Sequence, residues 1–300
     1  MKRVSMSYFP GFSVEEGKAV LRHAKDTGLD AVDLGLNPFS VADDRSIYAT
    51  GDETQITAYF RALREYADEL GIAICMTHGR IAGYRTDPAH NRDELASFRW
   101  DALATAVLGA RFCVVHSVHL GLDAAPEDQR RLNRQMMEDY LPLAKRYGVR
   151  LAMETLGDTH AADGRDGVDF FGDFDEYFRA FEEVARVGDN RDWLCACVDT
   201  GHTNKTVRFP GQIPPGEFIR RLGDRVQCLH LNDNNGLTDQ HKVPLSGTVD
   251  WQDVLAALQE IGYAGDYNME LNLRFFGKQP ATMDAYERFA VQVMREMLNG

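Results

Sequence analysis

The feature that most constrains the fold of this chain is a repeated alternation of short apolar runs with longer segments of helical spacing. Val, Ile, Leu, Cys and Met cluster in the short runs, which is typical of buried strands. Eight runs are predicted as strands, at residues 2–9, 29–36, 72–79, 110–118, 149–156, 193–201, 226–233 and 266–272. Eight strand–helix units in 300 residues average about 37 residues each, a size typical of a (β/α)8 barrel.

Local signals in the predicted helices support this class. Ser13 is followed three residues later by Glu16, which is the pattern of a capping box at a helix start. The second predicted helix has one apolar stripe, formed by Ile56, Phe60, Leu63, Ala67 and Leu70. A doubly wound open sheet would not need eight units, and its glycine-rich first turn is missing from the sequence. We therefore predict an α/β protein whose single domain, residues 1–300, is a (β/α)8 TIM barrel.

Charge and cysteine content narrow the classes of partner. The chain has 46 acidic and 33 basic residues, a net charge of −13, so no overall field attracts nucleic acid or an anionic membrane. No apolar run approaches the roughly 20 residues of a membrane span. The five cysteines all lie in apolar runs, where a thiol behaves as a small hydrophobe. These features predict a cytoplasmic protein without a membrane partner, for which nucleic acid is not the expected partner.

Polar side chains end six consecutive predicted strands. The carboxyl ends of barrel strands meet at one rim, which is where such barrels build their sites. Because a buried carboxylate or imidazole needs compensation, their convergence indicates a bound divalent cation. Oxygen and nitrogen donors without cysteine suit Mn, Mg, Co or Zn. The residues at these strand ends are His78, His116, Glu154, Asp199, His202, His230 and Glu270.

A structural role is the competing interpretation for each residue. A single strand-end histidine, such as His78 or His116, is more often a hydrogen-bonded structural residue than a ligand. A strand-end glutamate among apolar neighbours is harder to explain structurally, which favours function for Glu154 and Glu270.

The same strand ends carry a family resemblance. The ordered series is Glu154, Asp199-Thr200-Gly201-His202, His230-Leu231-Asn232-Asp233, Asp239-Gln240-His241, Gly247-Thr248-Val249-Asp250-Trp251 and Glu270. It resembles the xylose isomerase-like TIM barrel superfamily, most closely the sugar phosphate isomerase/epimerase branch, over essentially the whole chain. The resemblance implies one divalent metal held by Glu154, Asp199, His230 and Glu270. It also implies that Glu154 and Glu270 act as acid and base on a sugar, sugar phosphate or cyclitol.

A second branch of the superfamily, endonuclease IV, suggests an alternative. That nuclease binds three zinc ions to cleave abasic DNA, and its additional ligands correspond here to His78, His116, His202, Asp239 and His241. The segment between His230 and Asp239 is shorter than that of the nuclease and lacks its Gly-Ser pair. The expected function is therefore a metal-dependent sugar isomerase or epimerase. A phosphodiesterase, a lyase or dehydratase, and a non-catalytic binding protein stay open as alternatives.

Substrate charge and assembly stay open at this point. Several loop cations are candidates to contact a phosphate or carboxylate, although loop cations are commonly solvated. They are Arg80, Arg85, Lys205, Arg208, Lys242, Arg274 and Lys278. Trp251 and Phe275 or Phe276 are candidates to pack against a sugar face, although aromatic residues beside a barrel rim are more often part of the core. The number and identity of metals, the particular sugar and the formation of a homo-oligomer are not determined by the sequence.

Overall fold

The computed structural model describes residues 2–273 and 279–299, and its central feature is a closed ring of eight parallel strands. The ring order is β10-β1-β2-β3-β4-β5-β8-β9. Closure between β9 and β10 occurs where Leu231 N–H donates to Asn268 O at 2.8 Å and Glu270 N–H donates to Leu231 O at 3.2 Å. The predicted (β/α)8 barrel is confirmed. The ring strands are β1 (Val4–Tyr8), β2 (Ala31–Gly35), β3 (Ala73–His78), β4 (Phe112–His116), β5 (Arg150–Glu154), β8 (Leu194–Asp199), β9 (Val226–His230) and β10 (Tyr267–Met269).

Helices follow the strands and cover the outside of the ring. The capping box at Ser13 is present, because its side chain accepts from Glu16 N–H and the Glu16 carboxylate accepts from Ser13 N–H. The predicted stripe of the second helix is buried from Ile56 to Ala67, with Leu70 partly buried. The helices are α1 (Val14–Thr27), α2 (Glu53–Leu70), α3 (Pro88–Val107), α4 (Pro126–Tyr147), α5 (Phe174–Ala185), α6 (Thr200–Thr206), α7 (Pro215–Leu222), α8 (Trp251–Glu260) and α9 (Pro280–Asn299). None of these described helices is long and apolar enough to cross a membrane.

All eight predicted strands are longer than the observed ones, and two of these differences lie at the rim of the barrel. The eighth was predicted to run from 266 to 272 but spans only Tyr267–Met269. The sixth was predicted to run from 193 to 201 but ends at Asp199, where α6 begins. The reason is a helix cap: the Asp199 carboxylate accepts from His202 N–H at 2.6 Å, which favours a helix start directly after the strand.

A short hairpin lies between β5 and α5. Strands β6 (Asp158–His160) and β7 (Asp166–Val168) pair antiparallel after β5. Arg208 donates to Asp158 and Asp166, and Lys205 lies 2.9 Å from the Asp158 carboxylate. These contacts attach the hairpin to α6, which also carries His202.

Small apolar and sulfur side chains fill the barrel interior below the polar rim. This inner cluster consists of Met76, Val114, Ala152, Cys195, Cys197 and Cys228. All five cysteines are free, and four of them are buried, as expected for thiols used as core residues. The apolar interior closes the barrel from below, so the polar residues of the rim form the floor of a solvent-facing site.

Candidate metal centre

Four of the predicted ligands converge at the carboxyl-terminal rim of the barrel. Donor atoms of Glu154, Asp199, His230 and Glu270 all lie within 4.8 Å of one another. His230 Nδ1 is 3.0 Å from Glu154 Oε1 and 3.3 Å from Glu270 Oε2. The side chain of Glu270 is 24% exposed, whereas the other three are fully buried. Glu270 is thus the ligand candidate that borders solvent.

The residues at this point fit a divalent cation. Among the described residues, neither carboxylate oxygen of Glu154 and neither ring nitrogen of His230 has a hydrogen-bond partner of acceptable geometry, although charged groups lie close by. Burying such groups costs several kcal/mol unless a partner compensates. Three carboxylates and one imidazole are a donor set suited to Mn, Mg, Co or Zn.

Two further histidines face the second oxygen of Glu154. His78 Nε2 is 3.1 Å and His116 Nε2 is 3.2 Å from Glu154 Oε2. The Glu154 carboxylate therefore lies between two groups of imidazoles, with His230 on its Oε1 side. A carboxylate in this position can bridge two cations or one cation and a protonated imidazole.

The last three predicted residues form a second cluster beside the first. Nε2 of His241 lies 3.3 Å and Nε2 of His202 3.7 Å from Asp239 Oδ2. Nδ1 of His202 donates to Thr155 O, and Nδ1 of His241 donates to Glu270 O, so both rings are oriented from behind. All nine residues singled out from the sequence thus meet at one rim.

Opposite charges dominate the electrostatics of this rim. Burial opposes protonation of His202, but Asp199 and Asp239 outweigh it and raise the pKa of His202 to about 10. Burial likewise opposes ionisation of Glu154, and the imidazoles of His230 and His116 outweigh it, so the pKa of this carboxyl lies well below its ordinary value. The rim thus places imidazoles directly beside carboxylates, and binding of a divalent cation there would release the protons that these groups hold.

Sequence reasoning missed three polar residues that support the ligands. Asn232 Nδ2 donates to Asp199 Oδ2 at 2.7 Å. Asp33 Oδ2 lies 3.4 Å from His230 Nε2. Lys205, a candidate from the sequence to contact a phosphate or carboxylate, has its Nζ 2.9 Å from Asp239 Oδ1. The sequence does contain an indication that Asp33 has a special role, because an acidic residue is unusual inside an apolar strand such as β2.

Three of the candidate loop cations, Arg80, Lys205 and Arg208, are engaged by protein groups. Arg80 is buried and lies 3.1 Å from Asp101, and Arg208 binds the β6–β7 hairpin. Trp251, predicted as a candidate to face a sugar, is buried, and its Nε1 donates to Asp233 at 2.9 Å, so that prediction is wrong. Four candidates lie outside the described residues: Arg274, Phe275, Phe276 and Lys278.

A cavity of about 660 Å³ opens above the centre. Its floor includes Glu154 and Glu270, and its wall includes Phe9, Ile81 and Leu271. A larger cavity of about 900 Å³ lies at the opposite end of the barrel, where its described lining includes none of the nine rim residues. The smaller cavity is therefore the candidate substrate site.

The fold is a parallel (β/α)8 barrel, and carboxylates and imidazoles lie together at its carboxyl-terminal rim. These two features define a class of protein that has a candidate metal centre at the end of a barrel. The chain belongs to the family described as xylose isomerase-like TIM barrels, whose model matches residues 21–286. The matched range contains the positions of all nine rim residues.

Solved structures with the same fold include sugar epimerases. Escherichia coli YcjR, a 3-keto-D-glucoside 4-epimerase, has a TM-score of 0.70 at 15% identity, over 99% of this chain and 100% of that chain. D-psicose 3-epimerase from Clostridium cellulolyticum H10 has a TM-score of 0.71 at 15% identity, over 99% of both chains. An IolI protein with a bound zinc atom has a TM-score of 0.69 at 18% identity, over 99% of this chain and 96% of that chain.

Two curated relatives match shorter segments. Protein y4fM of Sinorhizobium fredii (strain NBRC 101917 / NGR234) is 32% identical over 79 residues, and protein MJ1311 of Methanocaldococcus jannaschii is 26% identical over 141 residues. The segments cover 26% and 46% of this chain but only 24% and 42% of the relatives' lengths. Both relatives are named as uncharacterized, so the similarity carries no activity.

Proposed function

We propose that this protein is a divalent-metal-dependent sugar or cyclitol epimerase or isomerase. The observation that carries the proposal is the pair Glu154 and Glu270, whose carboxylates both approach His230 Nδ1 at the floor of an open cavity. Two carboxylates at one point suit the removal and return of a proton next to a carbonyl group. The sugar epimerases among the structural neighbours support this reaction class.

The two glutamates would divide the proton transfer between them. A divalent cation held by Glu154, Asp199, His230 and Glu270 would polarise the substrate carbonyl oxygen as a Lewis acid. One carboxylate removes the proton from the adjacent carbon, and the other, in its protonated form, returns a proton to the opposite face or to the neighbouring position. Because Glu270 is partly exposed, it can exchange its proton with solvent between turnovers.

The lining of the cavity favours an uncharged substrate. Phe9 and Ile81 line it with exposed fractions of 39% and 44%, and such an apolar wall suits the C–H face of a sugar. Among the described residues near the rim, Lys205 and Arg208 are already paired with carboxylates and are not free to bind a phosphate. We therefore propose a sugar or cyclitol without a phosphate group.

Carbon–hydrogen exchange tests the proposal directly. The metal-loaded protein is incubated in deuterated water with a panel of ketoses, keto-glycosides, inososes and their phosphates, and products are identified by NMR. We expect deuterium at the carbon that inverts or isomerises, loss of exchange after chelation, and slower exchange with phosphorylated members. A dehydrated product would instead indicate a lyase, and absence of exchange across the panel would contradict the proposal.

The second cluster supports one alternative function, a metal-dependent phosphodiesterase. His202, Asp239 and His241 lie beside the first centre, and His78 and His116 face Glu154, so the rim has donors for more than one cation. Two or more adjacent cations suit phosphodiester hydrolysis. Elemental analysis giving about three metals per chain, together with cleavage of an abasic DNA duplex and no carbon exchange, would favour this function. The net charge of −13 argues against a DNA-binding surface.

A further inference from the structure

The two ring nitrogens of His230 face different surroundings. Nδ1 faces the centre, at 3.0 Å from Glu154 Oε1 and 3.3 Å from Glu270 Oε2. Nε2 faces away from it, at 3.4 Å from Oδ2 of Asp33 on β2. A neutral imidazole carries one proton, so only the tautomer with the proton on Nε2 directs a lone pair into the centre.

Asp33 is held by a chain of hydrogen bonds that crosses the barrel rim. Ser7 on β1 donates to Asp33 Oδ2 at 2.8 Å, and Asn268 on β10 donates to Ser7 Oγ at 2.9 Å. Ser7 and Asp33 are directly opposite each other in the β1–β2 pairing. Asp33, Asn268 and His230 are all fully buried. Four strands thus fix the position of one carboxylate behind one imidazole.

The hydrogen bond from the neutral Ser7 does not by itself compensate the burial of this carboxylate. The other oxygen of Asp33, Oδ1, has no hydrogen-bond partner among the described residues, and the nearest basic group to Oδ2 is His230. A buried carboxylate in an apolar strand costs several kcal/mol without compensation. An acceptor facing the outer nitrogen of a ligating histidine orients the ring and strengthens its donor nitrogen.

We propose that Asp33 is a positioning residue that holds His230 in the tautomer with its proton on Nε2, so that Nδ1 is available to a divalent cation. The proposal rests on the metal centre of the proposed function but concerns a residue outside the ligand set. Asp33 acts through His230 and does not contact the substrate. Its removal weakens metal binding without removing a ligand.

Metal titration of variants tests this role without a substrate. Chelator-treated parent, Asp33→Asn and Ser7→Ala proteins are titrated with Co²⁺ by calorimetry, and the visible spectrum of bound Co²⁺ is recorded. We expect Asp33→Asn to bind Co²⁺ about 10- to 100-fold more weakly than the parent, with an altered spectrum. Ser7→Ala, which removes the hydrogen bonds of Ser7 with Asp33 and Asn268 but keeps the Asp33 carboxylate, should weaken binding in the same direction but less.

Glu182→Gln is the matched control for removing a buried charge. Glu182 on α5 is 6% exposed and pairs with Arg191 and Arg225, none of which belongs to the centre. Its replacement should lower the thermal stability and leave the Co²⁺ affinity unchanged. An Asp33→Asn affinity within twofold of the parent would overturn the positioning role while leaving the proposed function intact.

A measurement on the parent protein avoids dependence on a folded variant. Long-range ¹H–¹⁵N NMR of the zinc-loaded protein reports which nitrogen of His230 carries the proton. We expect the proton on Nε2, and a proton on Nδ1 would overturn the proposal. A parent protein that binds neither Co²⁺ nor Zn²⁺ would overturn the metal centre itself, so the two failures are distinguishable.

Discussion

Glu154 connects the two groups of histidines because each of its carboxylate oxygens faces a different one. Oε1 is near His230 and Oε2 is near His78 and His116. Glu270 differs, since it is partly exposed and reaches His230 from the opposite side of the rim.

Replacing either glutamate with glutamine tests their roles as proton-transfer groups. Glu154→Gln and Glu270→Gln keep one oxygen donor but remove the basic carboxylate, so turnover should fall at least ~10²-fold. Metal affinity should fall less than turnover. Deuterium exchange of the substrate carbon measures the effect, with Glu182→Gln as the control. Full turnover in either variant would exclude a mechanism that uses both carboxylates.

The boundary between β8 and α6 determines how two predicted residues meet. Asp199 ends the strand and caps the helix, with Oδ1 accepting from His202 N–H and Oδ2 accepting from Asn232. The helix then turns the His202 ring toward Asp239 and back over Thr155. A longer strand, as the sequence pattern predicted, would have pointed His202 elsewhere.

The first and last helices are joined by an ion pair that makes stability depend on pH. The hydrogen bond from His23 on α1 to the buried Glu287 on α9 raises the pKa of His23. The charge of Asp284 also raises this pKa, whereas burial and the charge of Arg288 lower it. Because the folded protein holds this proton more tightly than the unfolded chain, the stabilisation is complete below about pH 6.5. It is lost as the pH rises through the folded-state pKa.

We expect the free energy of unfolding to fall by up to ~1 kcal/mol from this pair as the pH rises from about 6 to about 9, a small value because His23 is partly solvated. Urea denaturation at both pH values measures it. His23→Gln should show a smaller fall than the parent. An equal fall in both proteins would assign the pH dependence to other groups.

Metal removal should destabilise the whole barrel, since the ligands come from β5, β8, β9 and the residue after β10. Free metal at 100-fold its Kd contributes about 2.7 kcal/mol, so chelation should lower Tm by about 5 °C. The neighbouring imidazoles compensate part of the carboxylate repulsion in the emptied site. Asp199→Ala, which lacks one ligand candidate, should respond less to chelation. An unchanged parent Tm after metal loss is verified by elemental analysis would contradict a metal centre.

The barrel and seven of the nine rim residues could be predicted from short-range patterns in the sequence, whereas Asp239 and His241 were indicated by the family resemblance. Apolar runs that alternate with helical segments leave few folds open, and parallel strands bring their carboxyl ends to the same rim. A polar residue that ends such a run therefore belongs to the rim wherever it lies in the chain. This reasoning needs no side-chain geometry, and it placed His78 and Glu270 together although they are far apart in sequence.

Only the tertiary structure determined which side chains support the ligands and which side chains lie outside the site. Asp33 lies in mid-strand, where the register between β1 and β2 determines that it meets Ser7 and faces His230. Trp251 is the first residue of α8 and Lys205 lies in the last turn of α6. Their side chains contact the distant residues Asp233 and Asp239, respectively. Such contacts join residues from separate elements at distances of a few ångströms. The local pattern of a chain specifies the elements, whereas their packing alone specifies these distances.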